Sequence, residues 1–527
     1  MKLSFPATDT TVCAKESQDP VVISGGMGVW ISNWLMARIV SLLGGMGIVS
    51  GTALDAVYTR ILQQGDPEGN VRRAFAELVR RVPNLAGPVQ KLLDKYFIEG
   101  GKPENEPYRL SPVGNLKCIE RDGKLSFWEP TLEYQVLELA SSFAEVWLAK
   151  EGHDEPVGIN YLKKVERPLP WALYGAMLAG VDYVAIGAGS PAEIPGMIRS
   201  LSRHKKTTMP LHVYGATSND GDFALCLRPD ELCGAGLEPI RQPKFLAIVS
   251  SFALAKALYC DENTRPYGFI IETSVAGGHN APPNRKTFSP EGEPTVVYTN
   301  ADVIDVPSIA KLGLPFWMAG DYGSPEKLQQ AISMGATGVQ FGTLAALSGQ
   351  SGLAPKWRNA ALSLLAKGLL KVKTSARCSP SGFPFKVAQL GGTLSREEVY
   401  ERRERLCDVG ALQSAYLMPN GNIGFRCAAE PVEAYVNKGG KVQNTVGRVC
   451  LCNGLLASAG FPQTRSDGYS EPPIVTLGEM LEDARKLLES IPQGQASYTI
   501  GKALRYISEG LEQELKEAMP PQPVLIS

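Results

Sequence analysis

Short apolar runs recur along this chain, each ending in glycine or a small polar residue. Pro20-Val21-Val22-Ile23-Ser24 runs into Gly25-Gly26-Met27-Gly28, and Gly47-Ile48-Val49-Ser50 closes in Gly51-Thr52. Runs of this kind predict strands buried on both faces. The apolar stretch from Trp30 to Leu43 lies between them and predicts a helix. A strand, glycine turn, helix and strand in succession predict a parallel sheet.

The rhythm breaks over residues 54–150. Helical patterns there cover Val71 to Arg81, Val89 to Tyr96 and Leu132 to Lys150, and Asp66-Pro67 has the form of a helix start. We expect a helical insertion. The strand–helix alternation then resumes, with an extra strand at Leu211-His212-Val213. Eight core strands are predicted in all, at 21–23, 47–50, 157–160, 183–186, 245–249, 268–272, 315–318 and 338–341. The predicted fold class is α/β: a TIM (β/α)8 barrel with a helical insertion and a mostly helical C-terminal region. The expected domains are a barrel of residues 1–53 and 151–350, the insertion 54–150, and the C-terminal region 351–527. In that last region Thr476-Leu477-Gly478-Glu479 has the form of a capping box before a helix from Met480 to Ile491. Ile500, Leu504, Ile507, Leu511 and Leu515 make an apolar helical stripe.

Composition narrows the class. The 527 residues are 44% hydrophobic and 20% charged, with a net charge of −1. That balance suits a globular protein and gives no basic footprint for nucleic acid. The stretch Val29 to Val49 carries Asn33, Arg38 and paired glycines, so no membrane span is expected. Met1 to Lys15 lacks the apolar centre of a signal peptide. The ten cysteines form no C-x-x-C pair and are expected as reduced thiols in a cytoplasmic protein. Cys450 and Cys452 alternate as on a strand; partners at ligand spacing are missing there, and no metal is expected.

Candidate chemistry centres on Gly268 to Asn280, GFIIETSVAGGHN. A buried strand turns polar at Glu272 and ends in Gly277-Gly278-His279. Glycines let backbone approach a flat or anionic ligand, and a histidine can handle a proton near neutral pH. Of the four histidines, only His279 follows a strand and a diglycine; His153 and His204 are expected at the surface. Barrel active sites sit at the C-terminal ends of the strands, and the loops after strands seven and eight often hold phosphate. Gly320 to Gly323 and Gly342-Thr343 stand there, with Ser324-Pro325 opening the next helix. A flat ligand with a phosphate tail points to FMN; another phosphorylated substrate also fits.

Gly25-Gly26-Met27, Val157-Gly158-Ile159-Asn160, Gly187-Ala188-Gly189, Ala276-Gly277-Gly278-His279 and Gly338-Val339-Gln340-Phe341-Gly342-Thr343 resemble the ordered motifs of the nitronate monooxygenase family. This family, once called 2-nitropropane dioxygenases, includes the flavin-dependent enoyl-acyl-carrier-protein reductases. The resemblance covers roughly residues 20–350 without the insertions. It implies a TIM barrel with one non-covalent FMN and redox chemistry at the flavin. Carried over, Gly26 and Met27 cover the isoalloxazine ring, with Thr52 nearby. Asn160 bonds the ring edge or a substrate. Gly189 and Gly278 flank the ribityl chain, and Gly277 is carried over with them as cofactor-binding. Gly320, Gly342 and Thr343 take the phosphate, with Gly323 also carried over as cofactor-binding, and His279 stands beside the flavin as the catalytic residue.

Two departures from the family pattern bear on this. The catalytic histidine usual after the fifth strand is missing from Val249-Ser250-Ser251-Phe252-Ala253-Leu254, which is closer to the enoyl-reductase branch. Asp321 stands where the phosphate loop usually has glycine.

The resemblance implies oxidation of a nitronate or similar small molecule with oxygen as acceptor. The alternative is NAD(P)H-dependent reduction of an enoyl thioester, with an acyl carrier as partner. Other classes stay open: a non-catalytic flavin-binding protein, or a phosphate-handling barrel without flavin. Glu272 is a base, a ring ligand or part of a salt-bridged rim. Arg285 and Lys286 either hold an anionic group or face solvent. Assembly into an oligomer is left open.

Overall fold

The structure, a computed structural model, describes residues 19–290, 292–492 and 495–518, with side chains of the last helix described to residue 509. Met1 to Lys15 lies outside the described residues, as do the side chains of Leu511 and Leu515.

Eight parallel strands close into a barrel in sequential order. They are β1 (Val22–Ser24), β2 (Met46–Ser50), β3 (Val157–Leu162), β4 (Tyr183–Gly187), β5 (Lys244–Val249), β6 (Gly268–Glu272), β7 (Phe316–Ala319) and β8 (Gly338–Phe341). All eight expected strands are present, within one or two residues of their predicted ends. Closure is made by β1, which pairs Val22 with Val339 on β8 and Ile23 with Met46 on β2. Ile23, Met46, Ile48, Leu246, Ile270 and Trp317 fill the barrel interior. This follows the parallel-barrel rule that the lumen is a core, with the ligand site displaced to the strand ends. At the opposite, N-terminal mouth, the Lys244 ammonium bonds Asp19 at 2.6 Å and the Tyr183 and Tyr267 hydroxyls at 3.2 and 2.9 Å.

The first helix is shorter than expected. It spans Trp34–Leu42, and Asn33 Oδ1 caps it by accepting from Met36 N at 2.9 Å. Residues 27–33 are freed to form the loop above β1. The insertion carries helices Leu54–Gln63, Asn70–Arg81, Ala86–Tyr96 and Leu132–Lys150. Asp66 does not begin a helix with Pro67 at its first position. Its carboxylate instead reaches forward to the Val71 and Arg72 N–H groups of the helix that starts at Asn70. The insertion also holds the antiparallel pair Leu116–Asp122 and Leu125–Pro130. Helix Leu132–Lys150 is buried over most of its length and packs on barrel helix Leu169–Leu178, so it forms part of the barrel wall.

Beyond the barrel, helices alternate with two hairpins, Val372–Ser375 with Phe385–Ala388 and Ser414–Leu417 with Ile423–Arg426. Cys450 and Cys452 are not on a strand: Cys450 caps helix Leu451–Ser458, which contains Cys452. The expected capping box does not cap. Residues 476–479 are irregular chain, and the following helix spans Glu482–Glu489. The apolar stripe is realised in helix Ile500–Ala518, where Ile500, Leu504 and Ile507 are buried. That helix packs on Pro325–Ser333 and Trp34–Leu42. Among the described residues, no helix is long and apolar enough to cross a membrane.

Candidate active site

A cavity of about 420 Å³ opens at the C-terminal ends of the barrel strands. Gly26, Met27, Thr52, Asn160, Gly189, Gly277, Gly278, His279, Gly320, Gly323, Gly342 and Thr343 all line it. They come from the ends of seven of the eight barrel strands, all but β5, and so from segments that lie far apart in sequence.

Two glycines are required by geometry. A Cβ on Gly26 would lie 2.3 Å from the Asn160 Cβ, so the β1 loop can cross β3 only without a side chain. Gly320 has φ +83°, and a Cβ there would meet Thr273 Oγ1 at 2.2 Å. Asn160 is held in turn by its Nδ2, which donates to Ala185 O on β4 at 3.2 Å.

His279 is enclosed by a segment of the C-terminal region, residues 379–386. Its Nε2 shares a hydrogen bond with Ser379 Oγ at 2.7 Å, and Ser381 Oγ is 3.5 Å away. Its ring meets the Phe385 ring edge-on at 4.8 Å. The backbone is stitched as well: Asn280 N donates to Pro384 O at 3.0 Å, and Lys386 N to Gly278 O at 2.9 Å. Burial, then repulsion from Lys164, holds the imidazole well below its usual range. At neutral pH it is therefore a neutral ring that orients and shares one proton, not an imidazolium that donates one.

Glu272 and Lys164 supply the titrating groups. Burial raises the Glu272 carboxyl to about 7, against the pull of Lys164 and Lys386. Burial lowers the Lys164 ammonium to about 7, against the opposing pull of Glu272. Lys164 Nζ is buried with no hydrogen-bond partner and sits over the Phe383 ring at 4.1 Å. Lys386 pairs instead with Glu479 at 2.6 Å, which in turn accepts from Thr374 Oγ1 at 2.6 Å. Opposed shifts on two neighbouring groups put both within reach of protonation change at neutral pH.

The far end of the cavity is closed by the C-terminal region. Thr476 Oγ1 accepts from Gly278 N at 2.8 Å, and Thr343 Oγ1 accepts from Gly478 N at 2.9 Å. Asp321 takes a left-handed φ of +64°, and its carboxylate faces Lys327 Nζ at 3.5 Å. That lysine offsets the charge which would otherwise oppose an anion in this loop.

The end of β5 carries no base: Ser251 Oγ is spent capping helix Phe252–Cys260 through Leu254 N at 3.3 Å. Arg285 and Lys286 are exposed and do not line the cavity. His153 and His204 are half-buried, each bonded to a backbone carbonyl, Ala149 O at 2.7 Å and Glu238 O at 2.8 Å. Sequence reasoning missed Lys164, Ser379, Phe383, Phe385, Cys452 and Thr476. Lys164 lies two residues past β3 with no pattern to mark it, and the others come from more than a hundred residues beyond the motifs or from a stretch without periodicity.

No family model and no curated protein matches the sequence. Solved structures similar to the chain include FabK from Thermotoga maritima, at 13% identity and TM-score 0.44 over 95% of this chain and 94% of that one. Nitroalkane oxidase from Streptomyces ansochromogenes matches at 12% identity and TM-score 0.42, over 95% of this chain and 99% of that one. The enoyl reductase domain of MlnA from Bacillus amyloliquefaciens matches at 12% identity and TM-score 0.43, over 94% and 96%. The class of this protein rests on its own strand pairing: it is an eight-stranded parallel (β/α)8 barrel with one cavity rimmed by glycines at the strand ends.

Proposed function

We propose that the chain is an FMN-dependent oxidoreductase that oxidises a nitronate or similar small anion, with oxygen as acceptor. One observation carries this: twelve residues picked out by a flavin-binding resemblance line a single cavity. The residues present suit the cofactor. Gly26 lets the β1 loop lie directly on Asn160 at the cavity wall, and the Gly320–Gly323 and Gly342-Thr343 loops line the cavity where a phosphate would sit, with the Asp321 carboxylate facing Lys327. When bound, the flavin supplies the hydride or electron transfer.

The chain's own groups do the rest. Lys164, buried against the Phe383 ring without a hydrogen-bond partner, places positive charge behind the cavity wall at the β3 and β6 ends, which favours an anionic substrate. Glu272 takes or returns a proton near pH 7. It thereby offers a substitute for the base that β5 lacks. His279 is fixed by Ser379 and Phe385, and with Phe383 it shields the reacting centre from water.

A second reading is NAD(P)H-dependent reduction of an enoyl thioester. It is favoured by a carboxyl raised to about 7 at the rim, which suits protonation of a carbon. Lys164 would then offset charge developing on the thioester oxygen.

The test is anaerobic. The chain is loaded with FMN and its flavin absorbance is followed as either a nitronate or NAD(P)H is added. Bleaching by nitronate alone supports the first reading, and bleaching by NAD(P)H alone selects the second. A chain that takes up no flavin sinks both.

A further inference from the structure

The loop above β1 lines the cavity with Gly25, Gly26, Met27, Gly28, Val29 and Ile31. Trp30 stands between the last two and does not line it. Its backbone is left-handed, with φ +56°, a conformation that a bulky residue keeps only where its surroundings impose it. The contacts that impose it lie on the outer side of the loop. Trp30 Nε1 donates to Glu145 Oε2 at 3.0 Å, and the Tyr58 hydroxyl donates to the same oxygen at 2.8 Å. The Trp30 ring meets the Phe461 ring at 5.3 Å.

Both of the groups beneath Trp30 belong to the insertion. Glu145 is on helix Leu132–Lys150 and Tyr58 on helix Leu54–Gln63, and both are buried. Burial raises the Glu145 carboxyl to about 7, against the bonds from Tyr58 and Trp30. Its other oxygen, Oε1, is buried with no hydrogen-bond partner. A helix that served only as barrel wall would need no carboxyl at this place, because burying one is unfavourable. What the carboxyl supplies is an acceptor at one fixed point. A donor from the loop and a donor from the neighbouring helix converge on it.

The remaining ties of the loop lie elsewhere. Ser32 Oγ closes its base by donating to Gly25 O at 2.6 Å and accepting from Met27 N at 2.9 Å. Ile31 O accepts from Gly352 N at 2.8 Å, which joins the loop to the chain beyond the barrel. Trp30 carries the tie to the insertion. Its neighbours Val29 and Ile31 are buried at the cavity wall, so a shift of Trp30 moves that wall.

We propose that Glu145 is a positioning residue for the cavity: through Trp30 it fixes the backbone of residues 27–31 above the barrel, and so sets how tightly the cavity holds a flat ligand. The insertion thereby shapes the site without touching the ligand. The proposal rests on the flavin reading only for the identity of that ligand.

The full chain is compared with its Glu145→Leu, Trp30→Phe and Glu145→Gln variants. Three quantities are measured: FMN affinity by fluorescence titration, hydrogen–deuterium exchange of residues 25–32 in the ligand-free chain, and thermal melting. Glu145→Leu fills the same place but accepts no bond, and should weaken FMN about tenfold and speed exchange of the loop by a similar factor. Trp30→Phe keeps a ring for Phe461 and loses the N–H, and should show the same two effects. Glu145→Gln retains an oxygen that accepts both bonds, and should stay within about threefold of wild type in each. The double variant of Trp30→Phe and Glu145→Leu should bind FMN no more weakly than either single variant, since each removes the same bond.

A purely structural role would lower the melting temperature and leave both FMN affinity and loop exchange of the folded chain as in wild type. That result overturns the proposal, as does a Glu145→Gln variant impaired as much as Glu145→Leu. If Glu145→Leu fails to fold, Trp30→Phe decides. If the wild-type chain takes up no FMN, the flavin reading falls, and exchange of residues 25–32 still decides whether Glu145 positions the loop.

Discussion

His279 Nε2 lies 2.7 Å from the Ser379 hydroxyl oxygen, across a sequence separation of 100 residues. The barrel's histidine is therefore oriented by the region that follows the barrel. Ser379→Ala should lower kcat about tenfold, equivalent to about 1.4 kcal/mol, by releasing the ring from its orientation. His279→Ala should cost about a hundredfold, by removing the ring that orders the reacting centre. Steady-state kinetics with whichever substrate bleaches the flavin measures both. Equal rates in Ser379→Ala and wild type would show that this bond does not orient the ring in turnover.

The Glu272–Lys164 pair sets a pH dependence. Lys164 pulls the Glu272 carboxyl down, so Lys164→Met should move that ionisation up from about 7. The limb of the pH–rate profile that belongs to Glu272 should shift to higher pH. A profile that stays in place would remove Glu272 from the chemistry.

The same carboxyl affects stability. Its folded value, about 7, lies above its ordinary 4.5, so its contribution is complete below pH 4.5 and is lost as pH rises through 7. Glu272→Gln abolishes that loss. Between those limits wild type should weaken relative to the variant by up to about 1.4 kcal/mol per pH unit. Urea denaturation at several pH values measures the difference, and a gap constant with pH would contradict the assignment.

Gly26→Ala should empty the site without unfolding the barrel. The new methyl would lie 2.3 Å from the Asn160 Cβ, which is fixed to a buried strand. Overpacking of this kind costs about 1–3 kcal/mol. If the cost falls on the cofactor-bound form, FMN binds roughly 5- to 150-fold more weakly. Fluorescence titration with FMN, beside a circular dichroism spectrum, separates lost binding from lost fold.

Arg403 and Glu471 form an ion pair with side chains only 3% and 1% exposed. Glu471→Ala leaves a buried guanidinium uncompensated and should destabilise the chain by about 3–5 kcal/mol. Thermal or urea melting gives the value, and a cost below about 1 kcal/mol would place the pair in solvent contact.

The barrel was legible because its strands are buried on both faces, and that leaves continuous apolar runs such as Phe269-Ile270-Ile271. The glycine rim was legible for a related reason: close backbone approach excludes side chains and leaves a residue type that can be counted. The rest of the site was hidden for physical reasons. Lys164 is defined by its lack of partners, which no sequence records. Ser379 and Phe385 reach His279 only through a long-range bridge between His279 and Phe385. Thr476-Leu477-Gly478-Glu479 misled because threonine and glutamate at helix-start spacing also serve tertiary contacts, here Gly278 N and Lys386. Cys450 and Cys452 misled through their alternation, because two residues on the first turn of a helix show the same spacing.

The hooks from Thr476 to Gly278 and from Gly478 to Thr343 bear on the order in which the molecule is made. By residue 341 a growing chain has released all eight barrel strands. Its rim is still unfinished, because the segment that fastens the β6 and β8 loops is synthesised more than a hundred residues later. A barrel at that stage of translation has its lumen packed while its ligand cavity lacks a wall. Competence to hold a ligand therefore arrives late in synthesis, with the C-terminal region acting as the final closure of a site whose motifs all lie upstream.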